Sequence, residues 1–265
     1  MTPRPGTDKP DFPWWLIAIV AFTGLFIFQA LDDPIYQQVS VKLIKGVKIT
    51  VFVTLVGFFL ASVLGLLLAV ASLSRFQILR QLARFYTEVL RGLPILVILL
   101  YVSFVVAPGL VQGWNYIAEH IGLDPIRTRD FTFLWRAIIA LTLGYSAFIS
   151  EVFRAGILSV EEGQVEAAKA MGLNGWQRFR LVVFPQAIRT IMPPLGNDFI
   201  AMIKDSSLVS VLGVLDITQI GKVTAAGNFR YFETYNVVAM LYLTLTVTLS
   251  LLLRKLETKL RGKYP

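Results

Sequence analysis

"EAAKAMGLNGWQRFRLVVFPQA", Glu166–Ala187, stands between two long apolar segments in a chain that is otherwise oily. From Val160 to Met171 the residues favour helix, and Glu161 and Glu162 sit near its start, where the helix dipole welcomes negative charge. Gly172 can end that helix in a left-handed turn, and the run "GLNG" supports a reversal of the chain there. Trp176, Phe179, Val182 and Val183 then offer an apolar set at helical spacing, with Pro185 limiting the helix that follows. The expectation is a short helix–turn–helix between two membrane crossings. Ala167 and Ala168 are small enough for a partner surface to come close. A loop that only joined two crossings would not need this order; a docking surface would.

The rest of the chain supplies the crossings. Of its 265 residues 55% are hydrophobic and only 16% charged, with mean hydropathy +0.66. A soluble domain carries about a quarter charged residues, so the composition places this chain in a bilayer. Windows of roughly twenty apolar residues mark six expected spans: Trp14–Leu31, Ile49–Leu73, Leu93–Leu110, Ala137–Phe153, Thr190–Leu215 and Tyr235–Leu253. The first has no strongly basic start, and Phe28-Gln29-Ala30 is a poor cleavage site, so it reads as an uncleaved span rather than a signal peptide. Residues 1–13 are rich in proline and expected to be disordered, and 14–45 to form an extra helix and linker. Residues 46–265 are then one membrane domain. The expected class is an all-α integral membrane protein.

The basic residues orient it. Arg75, Arg80, Arg84 and Arg91 lie between spans two and three, and Arg154, Lys169, Arg178, Arg180 and Arg189 between four and five. The tail holds Arg254, Lys255, Lys259, Arg261 and Lys263, so one side carries fourteen of the 25 basic residues. That side is cytoplasmic by the positive-inside rule, and the C-terminus with it. The loops 111–136 and 216–234 balance their charges, so the net charge of +8 is a topology signal and not a nucleic-acid footprint. Against this, Lys42, Lys45 and Lys48 favour flipping the first span, which leaves open a five-span chain with an outside or interfacial N-terminal helix.

Chemistry of its own is poorly supplied. There is no Cys and one His, His120 in an outer loop, which argues against thiolate and His-based metal sites and against a membrane-embedded enzyme. Gly221-Lys222 lacks the remainder of a phosphate-binding loop, so any ATP must be bound by another chain. No cofactor is expected. Ala61, Gly65 and Ala69 form a small-residue stripe that suits close helix packing, within the subunit or between subunits. Glu151 and Arg154 have the spacing of an ion pair at the inner end of span four, either structural or on a transport path. In span five Asn197, Asp198, Lys204, Asp205, Ser206 and Ser207 are costly in hydrocarbon unless paired or wet. Adjacent Lys204 and Asp205 point about 100° apart on a helix, so each needs a partner elsewhere or a break in the helix.

Glu166-Ala167-Ala168, Gly172 and Val182-Val183-Phe184-Pro185 together resemble the "EAA" loop of ABC-importer permeases, with glycine and proline offsets intact and Val and Phe in place of the usual Ile and Leu. "YTEVLRGLPILV", "SEVFRAGILSVEEGQ", "FPQAIRTIMPPLGNDFI" and "KDSSLVSVLGV" resemble the polar amino-acid importers among them, and the likeness spans roughly residues 45–260. The resemblance implies a five-helix importer core plus one N-terminal helix in a bacterial inner membrane. It implies docking of a cytoplasmic ATPase dimer on Glu166, Ala167, Ala168, Gly172 and Pro185, in a loop of about residues 155–187. It further implies pairing with a second permease copy or homologue, and amino acid delivered by an extracytoplasmic binding protein. Glu151 and the polar group of span five would then line or gate the translocation path. A self-contained secondary transporter is the alternative, as is an importer of another small solute; the former would show inverted repeats, and none is visible.

Overall fold

The computed structural model describes residues 14–261, all helix and connections with no strand among them. Residues 1–13, and with them the expected N-terminal disorder, lie outside the described residues. The helices are α1 (Trp14–Asp32), α2 (Pro34–Ser72), α3 (Gln77–Gly92), α4 (Ile95–Tyr101), α5 (Ala107–Ile121), α6 (Phe133–Leu158), α7 (Glu162–Ala170), α8 (Gly175–Arg178), α9 (Phe184–Asp205), α10 (Ile217–Asn228) and α11 (Tyr231–Arg261).

The small-residue stripe of α2 is spent inside the chain. Ala61 and Ala69 are fully buried, and a Cβ on Gly65 would come within 2.9 Å of Ile149 Cγ2 and 3.1 Å of the Ser146 carbonyl on α6. Gly57, one turn before Ala61, meets Leu141 of the same helix. Contacts move from 57–141 to 65–149 in step, so α2 and α6 run parallel. Two parallel crossings require an odd number of crossings between them, which α3, α4 and α5 together supply. α9 runs the other way: Gly156 of α6 lies against Ile191, and Tyr145, further up α6, reaches Asp205. α11 is parallel to α2, with Tyr36 bonded to Asn236 and, further along, Thr50 and Tyr242 converging on the start of α10. The far end of α11 therefore lies on the same side as the turn that follows α6.

Among the described residues, four helical stretches are by length and hydropathy long and apolar enough to cross a membrane: Pro34–Ser72, Ile95–Ile121, Phe133–Leu158 and Tyr231–Leu256. α9 is a crossing by parity, since the chain must return between parallel α6 and α11. α1 packs Phe26 edge-on to Tyr36 of α2.

Three expectations are corrected. The linker is a single residue, because Asp33 caps α2 by accepting from the Ile35 N–H at 2.7 Å and Pro34 opens the helix. An acidic cap before proline is a helix-start signal that the apolar windows passed over. Lys42, Lys45 and Lys48 accordingly sit on exposed positions of α2 and not in a loop. Pro185 does not limit a helix; it lies in the first turn of α9, directly after a π-helical turn at Phe179–Val183 that continues α8. Lastly, span five is not a single helix to Leu215: α9 stops at Asp205 and a 3₁₀ segment, Ser206–Leu212, follows.

The π turns have a common cause. In Val102–Val106 the Ala107 N–H bonds the Val102 carbonyl, five residues back, and Pro108 comes next; in Phe179–Val183 the Phe184 N–H bonds Phe179, and Pro185 comes next. The shift leaves one carbonyl per turn, Ser103 and Arg180, whose only remaining helical donor would be a proline nitrogen with no hydrogen. The Ser103 carbonyl is served by Arg136, a side chain 5% exposed that donates to it from Nη1 at 2.9 Å. The same guanidinium donates from Nε to the Phe131 carbonyl at 2.7 Å and from Nη2 to that of Thr128. Arg136 thus fastens the connection between α5 and α6 to the interrupted helix. Replacing it (Arg136→Met) leaves the Ser103 carbonyl buried without a donor and should cost about 1–3 kcal/mol, read as a lower unfolding temperature of the purified protein. An unchanged unfolding temperature would show that the carbonyl needs no protein donor.

Candidate functional site

The turn after α6 is built to hold one shape. α7 ends with the Leu173 N–H on the Ala168 carbonyl at 3.2 Å and the Gly172 N–H on that of Lys169 at 3.0 Å. With Gly172 at φ 81°, this is the full Schellman closure that the glycine predicted. Immediately after it, the Asn174 side chain accepts from the Gln177 N–H and the Gln177 side chain accepts from the Asn174 N–H, both at 2.9 Å, so a capping box starts α8. The turn is anchored to the crossings by an apolar cluster in which Val160, Ala187 and Ile191 are buried and Val165, Val152 and Leu195 pack around them. Gln186 of α9 donates to the side chain of Gln164 in α7.

The outer side of this turn is bare. Glu166 and Ala167 are exposed, as are Met171 (73%) and Trp176 (67%), whose indole stacks on Phe179. Ala168 is buried, so of the two alanines only Ala167 can meet a partner; Ala168 seats α7 on its own chain. Pro185, half-buried in α9, sits behind the exposed face.

The polar residues of span five divide between two faces. Asp198 and Asp205, seven apart, share one face of α9. Asp205 accepts a hydrogen bond from the Tyr145 hydroxyl at 2.7 Å, and buried Asp198 Oδ2 has no partner among the described residues. Asn197 and Lys204, also seven apart, are exposed on another face, and Lys204 bonds nothing among the described residues. The expected separation of Lys204 from Asp205 is found, and so are both of the anticipated remedies: Asp205 has a partner on another crossing, and the helix breaks directly after it. Ser206 is buried and donates to the Ile203 carbonyl at 2.7 Å, while Ser207 is half-buried. Tyr145 stands halfway along α6, so this group lies at mid-depth.

Glu151 and Arg154 form the ion pair that their spacing predicted, with Arg154 Nε and Nη2 both on the carboxylate and the shortest distance 2.6 Å. The pair faces a cavity of about 590 Å³ bounded by α3, α6 and the end of α2. α3 brings Arg84, Glu88 and Arg91 to this cavity, none of them anticipated as site residues. Placing Arg84 and Arg91 in the connection between spans two and three hid them. α3 instead climbs to mid-depth, where Tyr86 donates to the Leu143 carbonyl at 2.9 Å and Ile95, just past the Leu93–Pro94 break, fills the space at Gly144. His120 is remote, with Nδ1 at 2.7 Å from the Tyr116 carbonyl.

A family model described as "binding-protein-dependent transport system inner membrane component" matches residues 61–262. This chain belongs to that family. The permease is 35% identical over 219 residues to the "Glutamine transport system permease protein GlnP" of Escherichia coli (strain K12), covering 83% of this chain and 93% of that one. It is 37% identical over 222 residues to the "Probable amino-acid permease protein YxeN" of Bacillus subtilis (strain 168), covering 84% and 92%. Among solved structures it is similar to a chain of "an amino acid ABC transporter with histidines", with TM-score 0.67, 31% identity, and 95% and 99% of the two chains covered. The permease is thus a multi-pass membrane protein of all-α fold.

The Tyr145–Asp205 bond joins α6 to the break in α9, and a hydrogen bond to a charged acceptor contributes about 1.5–3 kcal/mol. Tyr145→Phe and Asp205→Asn should each destabilise the permease, and the double variant should lose clearly less than the sum, measured as denaturation in a double-mutant cycle. Strict additivity would mean the bond does not form.

Proposed function

We propose that this permease is the membrane-spanning subunit of an ATP-driven ABC importer that moves a polar amino acid into the cell. It would work with a cytoplasmic ATPase dimer, a second permease copy or homologue, and an extracytoplasmic binding protein. The observation that carries the reading is the turn at Glu162–Arg178. It is locked by two caps and tied to α6 and α9, yet presents Glu166, Ala167, Met171 and Trp176 uncovered. A rigid knob fixed to two crossings converts a push on the knob into motion of the crossings. In this reading Glu166 and Ala167 contact the ATPase, and Ala168, Gly172 and Pro185 hold the contact in shape. The substrate class rests on the relatives, whose names include a glutamine permease. Asp198 supports a pathway role, since a carboxylate oxygen buried without a partner is suited to the ammonium of a passing amino acid. Glu151, Asn197, Lys204, Asp205, Ser206 and Ser207 complete the pathway or its gate.

Gly172 tests the coupling. No atom lies within 4 Å of a Cβ there, so substitution acts through the backbone alone. Gly172→Val should cost at least about 1 kcal/mol in the left-handed conformation and abolish ATP-driven uptake while membrane insertion persists. Gly172→Asn, which tolerates that conformation, should keep most of the uptake. Normal transport by the Val variant would remove the docking role.

The basic residues support a cytoplasmic position for the docking turn and the end of α11. In this Cys-free chain, an impermeant thiol reagent added outside should label Asp124→Cys and spare Thr258→Cys. The reverse pattern would invert the topology.

A further inference from the structure

The cavity between α3 and α6 contains more charge than its ion pair uses. Arg154 is committed to Glu151. Arg84, Glu88 and Arg91 form no hydrogen bond or ion pair among the described residues, although all three line the cavity. Their spacing of four and three residues puts them along one face of α3, a cation, an anion and a cation separated by about 6 and 4.5 Å of helical rise. A lone anion site would have no use for Glu88, and a cation site no use for the arginines. The alternation suits a small zwitterion.

The position of the cavity is equally specific. Its inner end is made by Ser72 and Leu73 of α2 and Leu158 of α6, on the side of the docking turn. Its upper end reaches Arg91, whose guanidinium lies 5.9 Å from the ring of Phe148. That ring in turn contacts Tyr145, 6.3 Å between centroids, and Tyr145 bonds Asp205. Phe148 therefore stands between the acidic group at mid-depth and the charged cavity below it.

We propose that this cavity is a release site for the transported amino acid. Arg84 and Arg91 receive the α-carboxylate and Glu88 the α-ammonium, after the solute has passed Phe148. The inference rests on the import reading above and adds to it a second station, one that recognises the charged backbone of an α-amino acid and not its side chain. An amino acid on the ATPase side would then occupy the site and slow turnover.

The test uses the whole transporter in proteoliposomes, with glycine as the probe on the ATPase side and ethanolamine, which has no carboxylate, as its control. Glycine should inhibit ATP-driven uptake and ethanolamine should not. Arg84→Gln, Glu88→Gln and Arg91→Gln should each raise the half-inhibitory glycine concentration by about tenfold or more, the loss of one charge-assisted contact. Co-purification with the ATPase should be unaffected. Wild-type uptake that is indifferent to glycine on that side, or variants as sensitive as wild type, would overturn the release site and leave import standing. A response of these variants to the anionic-lipid content of the vesicles, with none to glycine, would also overturn it and assign the arginines to a lipid headgroup. Failure of the wild-type complex to take up any amino acid would instead sink the import reading itself.

Discussion

The parallel contact of α2 and α6 is the constraint on which the other elements depend. Lipid offers apolar surface no reason to associate, so two helices stay together in a bilayer only through close packing and polar contacts. Gly57, Ala61, Gly65 and Ala69 let α2 approach so closely that a methyl group at Gly65 would collide with Ile149. Once these helices are parallel, the intervening chain must cross between them, and α9 must return before α11. Tyr145, Ser146 and Glu151, all on α6, acquire their depth from the same contact. The central acidic group and the charged cavity are therefore placed by residues that carry no charge.

Prolines set the second constraint. In hydrocarbon a carbonyl without a donor costs several kcal/mol, yet this chain puts Pro108, Pro185, Pro193 and Pro194 in or beside helices. The two π turns divide the problem. At Val102–Val106 the freed carbonyl is deep in the protein and meets a buried arginine. At Phe179–Val183 it belongs to exposed Arg180, next to the α7–α8 turn. The same local device ties down the α5–α6 loop at one end of the protein and lies behind the exposed α7–α8 turn at the other.

The α7–α8 turn is packed directly onto the two helices that carry the acidic group. Val160, Ala187 and Ile191 join it to both α6 and α9, and Gly156 permits α6 to touch Ile191 at this level. Further up the same two helices, Tyr145 and Asp205 meet where α9 gives way to a 3₁₀ segment. A change in the angle between α6 and α9 thus acts on the acidic group and on the Phe148 ring at once.

Much of this was legible from residue order alone. Apolar windows gave the all-helical membrane class, and Gly172 dictated the left-handed end of α7 because glycine adopts that backbone more readily than any residue with a Cβ. The Glu151–Arg154 pair and the opposed directions of Lys204 and Asp205 followed from helical geometry, since both relations lie within two turns of one helix. Relations across helices were not legible in this way. That Ala168 faces inward, that Asp205 bonds Tyr145, and that Arg84, Glu88 and Arg91 face a cavity all depend on how distant segments pack. Pro185 misled for the same reason: a proline stops a helix only where its lost hydrogen bond cannot be rerouted, and here a π turn reroutes it. Residue order determined what lay within reach of one helix's hydrogen bonds, whereas every contact between helices awaited the packing of small residues that no local pattern assigns to a particular partner.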